Sequence, residues 1–417
     1  MFHFRLPSTF HPGEFLHSPR LRNCHDDARY FVSLILTKLA RGNVDDTGHV
    51  RLMAKHLRKV MHKHNSNAVV GALLDGGAVT RVPYQVGERS FGYMLADRFL
   101  DDRHVRIPAT DPRLIGRLEA FQEQAEQDRQ SRMKPVHIAL ERMQRRLRID
   151  GNLAREILAG LPPASNPFDV QGTLVSDIEH RDFRVNVGRY GRSSNNITSM
   201  KRELRAALNV GGQTLQNVDI SCCQPALIGH AARQAQGGGR THTGGQTTAS
   251  IYDAPNTTPP KSDLDAYCEL VQSGEFYDYF LAQLEKRSCP SLTRDELKER
   301  FLANVIAKRK ANRHGAEYPS DVEDVFRELF PSVYRFVRDI NRDGWEHANL
   351  IRELQRRESR LVIETVAADL LTRFPRLFLL TLHDAIFTTP RGIPAVVRAF
   401  DAAFKAMNFP MALKVAA

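Results

Sequence analysis

The sequence predicts a multi-lobed α+β protein, and three observations predict it. The chain has 417 residues, more than one core covers, since single hydrophobic cores rarely extend past roughly 250–300 residues. Helical patterns dominate its N-terminal part. Its C-terminal half sets short strand-like runs among amphipathic helices, and two of those runs end on an aspartate.

Composition narrows the class of protein. The chain is 42% apolar and 26% charged, an ordinary soluble balance, and no run of roughly eighteen apolar residues suits a membrane span. The opening MFHFRLPSTFHPGEFLHSPR has no basic segment, apolar stretch and cleavage site in sequence, so a cytoplasmic location and no membrane partner are expected. Lys and Arg outnumber Asp and Glu by 59 to 48, for a net +11, which favours a polyanionic partner. Five cysteines, Cys24, Cys222, Cys223, Cys268 and Cys289, form no CxxC pair and are expected as reduced thiols.

Residues 1–25 are rich in His, Pro and Arg without a clear period and are expected as a disordered tail. Within 26–109, DDARYFVSLILTKLA, RLMAKHLRKVMHKH and SNAVVGALLDGGA read as three helices. The third runs from a Ser66 or Asn67 cap to Gly76-Gly77. VTRVPYQVGERSFGYMLADRF then reads as two strands around a turn at Gly87. Three helices and a basic hairpin follow the order of a winged-helix-like nucleic-acid-binding domain, with Arg81 and Arg89 placed to meet phosphates. A plain helical domain with a surface hairpin has the same order. Residues 110–187 are a charged helical region, thumb-like by position, with Pro135 separating two helices and LPPASNP as a linker. A solvated helical pair would read alike. Residues 188–417 hold the candidate chemistry, interrupted at 237–262 by a Gly/Thr/Pro-rich segment expected to be a mobile loop.

Two aspartates stand out by their settings. In TLQNVDISCCQPALIGHAARQ a short strand ends at Asp219 and a helix starts near Pro225. In FLLTLHDAIFTTP two apolar strands meet at His383-Asp384, which places the acid at a hairpin tip. Either acid alone suits an ordinary turn or cap. Together, two strand-borne carboxylates are the donor set that two-metal phosphoryl transfer requires. Upstream, GRYGRSSNNITSMKRELRAAL supplies Arg192, Thr198 and Arg205. Downstream, TRDELKERFLANVIAKR puts Arg294, Lys298 and Phe301 on one helix face. LFPSV and LIRELQRRESRLVIETVAADLL follow, the latter with Gln355.

This order of elements resembles the palm and fingers of family A DNA polymerases and single-subunit RNA polymerases. Asp219-Ile220-Ser221-Cys222-Cys223-Gln224 is similar to the DYSQIELR element of the DNA polymerases, and LFPSV is similar to their YPGV. The resemblance covers residues 188–417. It implies a right-hand polymerase palm, an antiparallel sheet with helices, joined to helical fingers and preceded by a mostly helical N-terminal region. It further implies that Asp219 and Asp384 are catalytic ligands of two Mg2+ ions, with Mn2+ as substitute. Arg294, Lys298 and Phe301 would meet the incoming nucleotide and Gln224 would gate its sugar. Arg192, Thr198, Arg205, Gln355 and His383 would touch nucleic acid. The implied partners are a primer–template and nucleoside triphosphates; protein partners are left open.

The chain also departs from that pattern. Gln224 stands where the DNA polymerases have Glu and the RNA polymerases Gly, Ile306 replaces an expected Tyr, and Ala385 replaces Glu or Ser. The expectation is a DNA polymerase, with an RNA polymerase or primase of the same fold as the alternative. A non-catalytic DNA-binding replication or regulatory protein is a third reading. An exonuclease would need a further domain of roughly 150–200 residues, for which the N-terminal half has no room, so no proofreading is expected. That half resembles the DNA-binding part of a replication initiator, which implies a small replicase or primase of a plasmid, phage or other mobile element.

Overall fold

Phe2, Phe4 and Leu6 alternate with polar residues, a pattern that becomes a strand once a partner strand is present. In the computed structural model, which describes residues 2–39, 44–45, 47–84, 90–99, 104–162, 170–183, 185–238, 262–309 and 320–416, His3–Pro7 pairs antiparallel with His104–Pro108. The chain is α+β, with helices and several small antiparallel sheets. It divides into two compact units. The first comprises Met1–Met133, Leu147–Asn186 and Ser194–Gly211; the second comprises Lys134–Arg146, Val187–Ser193 and Gly212–Ala417. The expected turn at Gly87, residues 163–169 of the linker and residues 239–261 of the Gly/Thr/Pro-rich segment lie outside the described residues.

The N-terminal segment corrects an expectation. Residues 1–25 are not a disordered tail: Phe4, Leu6, Phe10, Phe15, Leu16 and Leu21 are buried in a core that continues to Leu118. Phe10 stacks on Phe15 with ring centroids 5.7 Å apart. The pairing strand lies about a hundred residues away, so no local pattern announced it. Three helices, His25–Leu39, Ala54–Val60 and Ser66–Asp75, pack on this core. Beside them a three-stranded sheet places Gly92–Leu95 between Val50–Arg51 and Val79–Val82. Pro112–Gln130 follows, N-capped by Asp111, whose side chain accepts from the Arg113 N–H.

Buried Asp26 ties that helix to the first one. Its carboxylate accepts from the backbone N–H groups of Thr110 at 2.6 Å and Asp111 at 2.7 Å and pairs with Arg29 at 2.8 Å. Burial opposes its ionisation, but the bonds from Asp111, Thr110 and Arg29 outweigh that and hold its pKa below the usual carboxylate value. A lowered folded pKa contributes stability that is present above the unfolded value and lost as pH falls through the folded one. Asp26→Ala is therefore expected to cost about 2–3 kcal/mol at neutral pH and to flatten the acid limb of a urea-denaturation profile.

The second unit is built on a four-stranded antiparallel sheet, ordered Leu380–Leu382, Ala385–Thr388, Gln216–Ile220 and Leu413–Ala416. Its apolar residues Val218, Ile220, Leu380 and Ile386 are buried, and the helix Ile393–Ala406 packs against the Gln216–Ile220 strand. A second, aromatic core joins the helices Asp263–Ser273, Phe276–Lys286, Arg294–Phe301 and Asp321–Leu329 through Tyr267, Phe276, Phe280, Phe301 and Phe326. Helix Pro135–Gln144, expected in a thumb-like arm, belongs to this unit instead. Its buried His137 explains why. Nδ1 accepts from the Lys134 N–H at 3.0 Å, which leaves Nε2 to donate to the Gly191 carbonyl at 3.3 Å.

Candidate active site

The strand Gln216–Ile220 buries Val218 and Ile220 and leaves Asp219 half-exposed on the other face. Beyond it the Ser221 N–H donates to the Ala412 carbonyl at 2.9 Å, and the backbone turns through a left-handed Cys222 (φ 53°) into the helix Cys223–Gly238. Gly274 makes that turn possible. Its own φ is +80°, and a Cβ there would stand 2.8 Å from the Ser221 Cβ. The short strand and the tight turn together hold Asp219 near the C-terminal end of an interior strand of the sheet.

The second acid comes from the neighbouring hairpin. Leu382 pairs with Ala385, so His383 and Asp384 form a two-residue turn, with His383 left-handed at φ 54°. Asp219 lies opposite Ala385 in the register, and the Ile220 N–H points to the Asp384 carbonyl at 3.4 Å. The two carboxylates thus stand at the same end of adjacent strands.

A third acid stands behind them. Glu358, 2% exposed on the helix Asn349–Ser359, pairs with Arg192 at 2.5 Å. Its other oxygen, Oε1, is buried without a hydrogen-bond partner among the described residues. Burial raises the Glu358 pKa, which Arg192 opposes and Asp219 reinforces. Burial first, then Asp219 and Glu358, pushes Asp384 up to about 8. Gly191 allows Arg192 to lie so close: at φ +82°, a Cβ on it would meet the Ser359 Oγ at 2.7 Å.

This donor set fits a hard divalent cation. The carboxylates are oxygen donors gathered against their own repulsion, with Arg192 committed to Glu358, and an added cation would relieve that cost. Among the described residues no three His, Cys, Asp or Glu side chains already form a cage for an ion. Magnesium commonly takes one or two carboxylates and fills its other positions with water and substrate phosphate, and Asp219 and Asp384 are donors of that kind.

The raised Asp384 pKa has a consequence in the metal-free protein. The folded state holds its proton to higher pH than the unfolded chain does, so stability falls as pH rises from the ordinary carboxylate value of about 4 towards about 8. Asp384→Asn is expected to remove that slope and to raise the melting temperature at pH 8 by roughly 2–6 °C. Adding magnesium should recover part of the difference in the wild type alone. A scanning melt of both proteins across this pH range checks it.

Five further expected residues belong to the second unit. Arg294 lies beside the site: its guanidinium is 5.8 Å from the Tyr277 ring, pairs with Asp278 at 3.4 Å, and acts on Cys222 next to the first acid. Lys298, one turn on, is exposed and pairs with Asp295 at 2.8 Å. Gln224 is half-buried in the first turn after Asp219, Gln355 is half-buried on the helix that carries Glu358, and His383 is exposed at the hairpin tip.

Two other expectations, for Phe301 and Arg192, are corrected, and the remaining residues belong to the first unit or lie outside the described residues. Phe301 does not face a nucleotide; it is 0% exposed, packed on Phe276 and Phe326. Arg192 holds a buried carboxylate rather than presenting itself to a nucleic-acid backbone. Thr198 and Arg205 belong to the first unit. The Thr198 hydroxyl closes a capping box with Asn195, and half-buried Arg205 donates to the Met200 carbonyl at 3.1 Å. Arg81, exposed, lies over the Phe91 ring at 4.7 Å. Arg89 lies outside the described residues.

Glu358 was missed, although its signal was present. Leu350, Leu354 and Glu358 recur every four residues on one helix face, and the two leucines are buried. An acid in an apolar stripe is the anomaly that should have singled it out. The neighbouring arginines Arg352, Arg356, Arg357 and Arg360 made it look like one more member of a solvated charge run. No protein-family model matches the chain, and no curated protein is significantly similar to it.

Proposed function

We propose that the chain is a template-directed nucleotidyltransferase that adds nucleotides to a nucleic-acid 3′ end, acting as a DNA polymerase without proofreading. One observation carries the reading: Asp219 and Asp384 meet at one end of adjacent antiparallel strands, with the Arg192–Glu358 pair behind them. Asp219 and Asp384 would hold the magnesium ions, or manganese in their place. Bound there, such ions supply Lewis-acid stabilisation of charge on the reacting phosphate.

The chain's own residues do the rest. Arg294 and Lys298, both partly exposed and one turn apart, would neutralise the triphosphate as pyrophosphate departs. Gln224, next to the first acid, would meet the sugar. Gln355 and His383 would touch the primer end. Arg192 acts indirectly, since its bond to Glu358 ties the helix that carries Gln355 to the segment Val187–Ser193. Asp384 must give up its proton before a cation binds, so activity should rise with pH towards about 8.

The test extends a labelled primer on a template with magnesium, offering deoxynucleotides and ribonucleotides in separate reactions. Extension by the wild type and none by Asp384→Ala is the expected result. Extension with ribonucleotides alone would replace DNA polymerase by RNA polymerase or primase. No extension with either, alongside intact DNA binding, would sink catalysis altogether.

A further inference from the structure

Residues 47–74 contain no Asp or Glu. They form the Val50–Arg51 strand, the helix Ala54–Val60 and the start of Ser66–Asp75. Leu57, Val60 and Met61 turn into the core, which leaves Lys55, Arg58, Lys59 and Lys63 exposed. Lys38 joins them: burial, then Lys38 and Lys59, hold the His56 imidazole below its usual pKa, so both cations stand near one ring.

Several cations described in this unit are neutralised by acids. Arg29 pairs with Asp26, Arg51 with Asp45, Arg129 with Glu126 and Arg155 with Glu179. Among the described residues, Lys55, Arg58, Lys59 and Lys63 have no such acid. Asp27 accepts from the His62 N–H at 2.8 Å but is only 2% exposed, so it lies beneath this surface rather than on it. Four exposed like charges repel one another and stay together at a cost unless a partner supplies the counter-charge.

The spacing selects the partner. Residues four apart on a helix are about 6 Å apart along its axis, so Lys55 and Lys59 form a short row of point charges on one helix face, and exposed Lys63 follows shortly after the helix ends. A row of this kind suits the regular, closely spaced phosphates of a nucleic-acid duplex. The patch consists of flexible lysines and one arginine, residues that meet phosphate oxygens without reading sequence.

We infer that Lys55, Arg58, Lys59 and Lys63 form a sequence-independent binding surface for the backbone of duplex DNA. The surface differs from the hairpin that the sequence pointed to, whose Arg81 is laid on Phe91. It also stands independently of the catalytic reading, because it needs neither carboxylate.

The experiment measures binding of the full-length protein to a blunt DNA duplex with blocked 3′ ends, by fluorescence anisotropy over a series of KCl concentrations. Each phosphate contact contributes about 0.9 to the slope of log affinity against log salt. Replacing all four residues with Gln should lower that slope by about 3 to 4 and weaken binding at least tenfold at low salt. Arg81→Gln should lower it by less than about 1. A variant with Lys55, Lys59 and Lys63 changed to Arg keeps the charge and should bind as the wild type does; a thermal melt of each variant separates lost contacts from lost fold. An unchanged slope in the folded Gln variant overturns the proposal, as does equal loss in the Arg variant. Primer extension is read in parallel. A slope that falls in a protein that extends nothing retires the catalytic reading and keeps this surface; the reverse pattern does the opposite.

Discussion

Replacing Asp219 or Asp384 with Ala is expected to cut primer extension at least about 10³-fold, which corresponds to roughly 4 kcal/mol of lost transition-state stabilisation. The two losses should not add, because each variant disables the same pair of ligands. Binding of blocked duplex should survive both changes. The result distinguishes a ligand from a scaffold residue in a second way: Asp384 is held against burial and its acidic neighbours, so its removal should stabilise the metal-free protein while abolishing activity. A merely structural Asp384 would predict lower stability and partial activity. Single-turnover extension and thermal melts of the same preparations decide between the two.

Arg192→Ala should be among the most destabilising single changes in the second unit, costing about 3–5 kcal/mol by urea denaturation. The reason is what it leaves behind. Glu358 is 2% exposed, its Oε1 has no hydrogen-bond partner among the described residues, and Arg192 supplies the charge that faces its other oxygen. Glu358→Gln should cost less, because the stranded group would then be an arginine whose side chain is 24% exposed and reaches water. In the double variant Arg192→Ala with Glu358→Gln, part of the loss should return, since no buried charge remains. Equal costs for the two single changes would mean that the pair is held by packing alone.

Local chemistry in the sequence was sufficient for the elements whose signals lie close together. The helix Ser66–Asp75 ends at Gly76 with Gly77 left-handed, as its glycines specify, although its N-cap is Asn65 rather than the expected Ser66 or Asn67. The apolar runs on either side of His383-Asp384 form a two-residue hairpin, and Asp219 lies in a short strand followed by a helix. In each case the residues that specify the element are its own members, so a reading of neighbours finds it.

Tertiary structure decided everything that depends on a distant partner. The His3–Pro7 strand exists because His104–Pro108 pairs with it. Arg192 meets Glu358 across 166 positions of sequence, and only that meeting turns a basic residue expected on a nucleic-acid backbone into the counter-ion of a buried acid. Phe301 shares a helix with Arg294 and Lys298, yet the aromatic core claims it because apolar surface gains more from burial than from facing water. Periodicity and turn chemistry act over a few residues, so the sequence alone determined the α+β class and the strand ends that carry Asp219 and Asp384. Burial and long-range electrostatics act between residues that the chain brings together only on folding, and they selected Glu358, Arg192 and the exposed cations of Ala54–Val60.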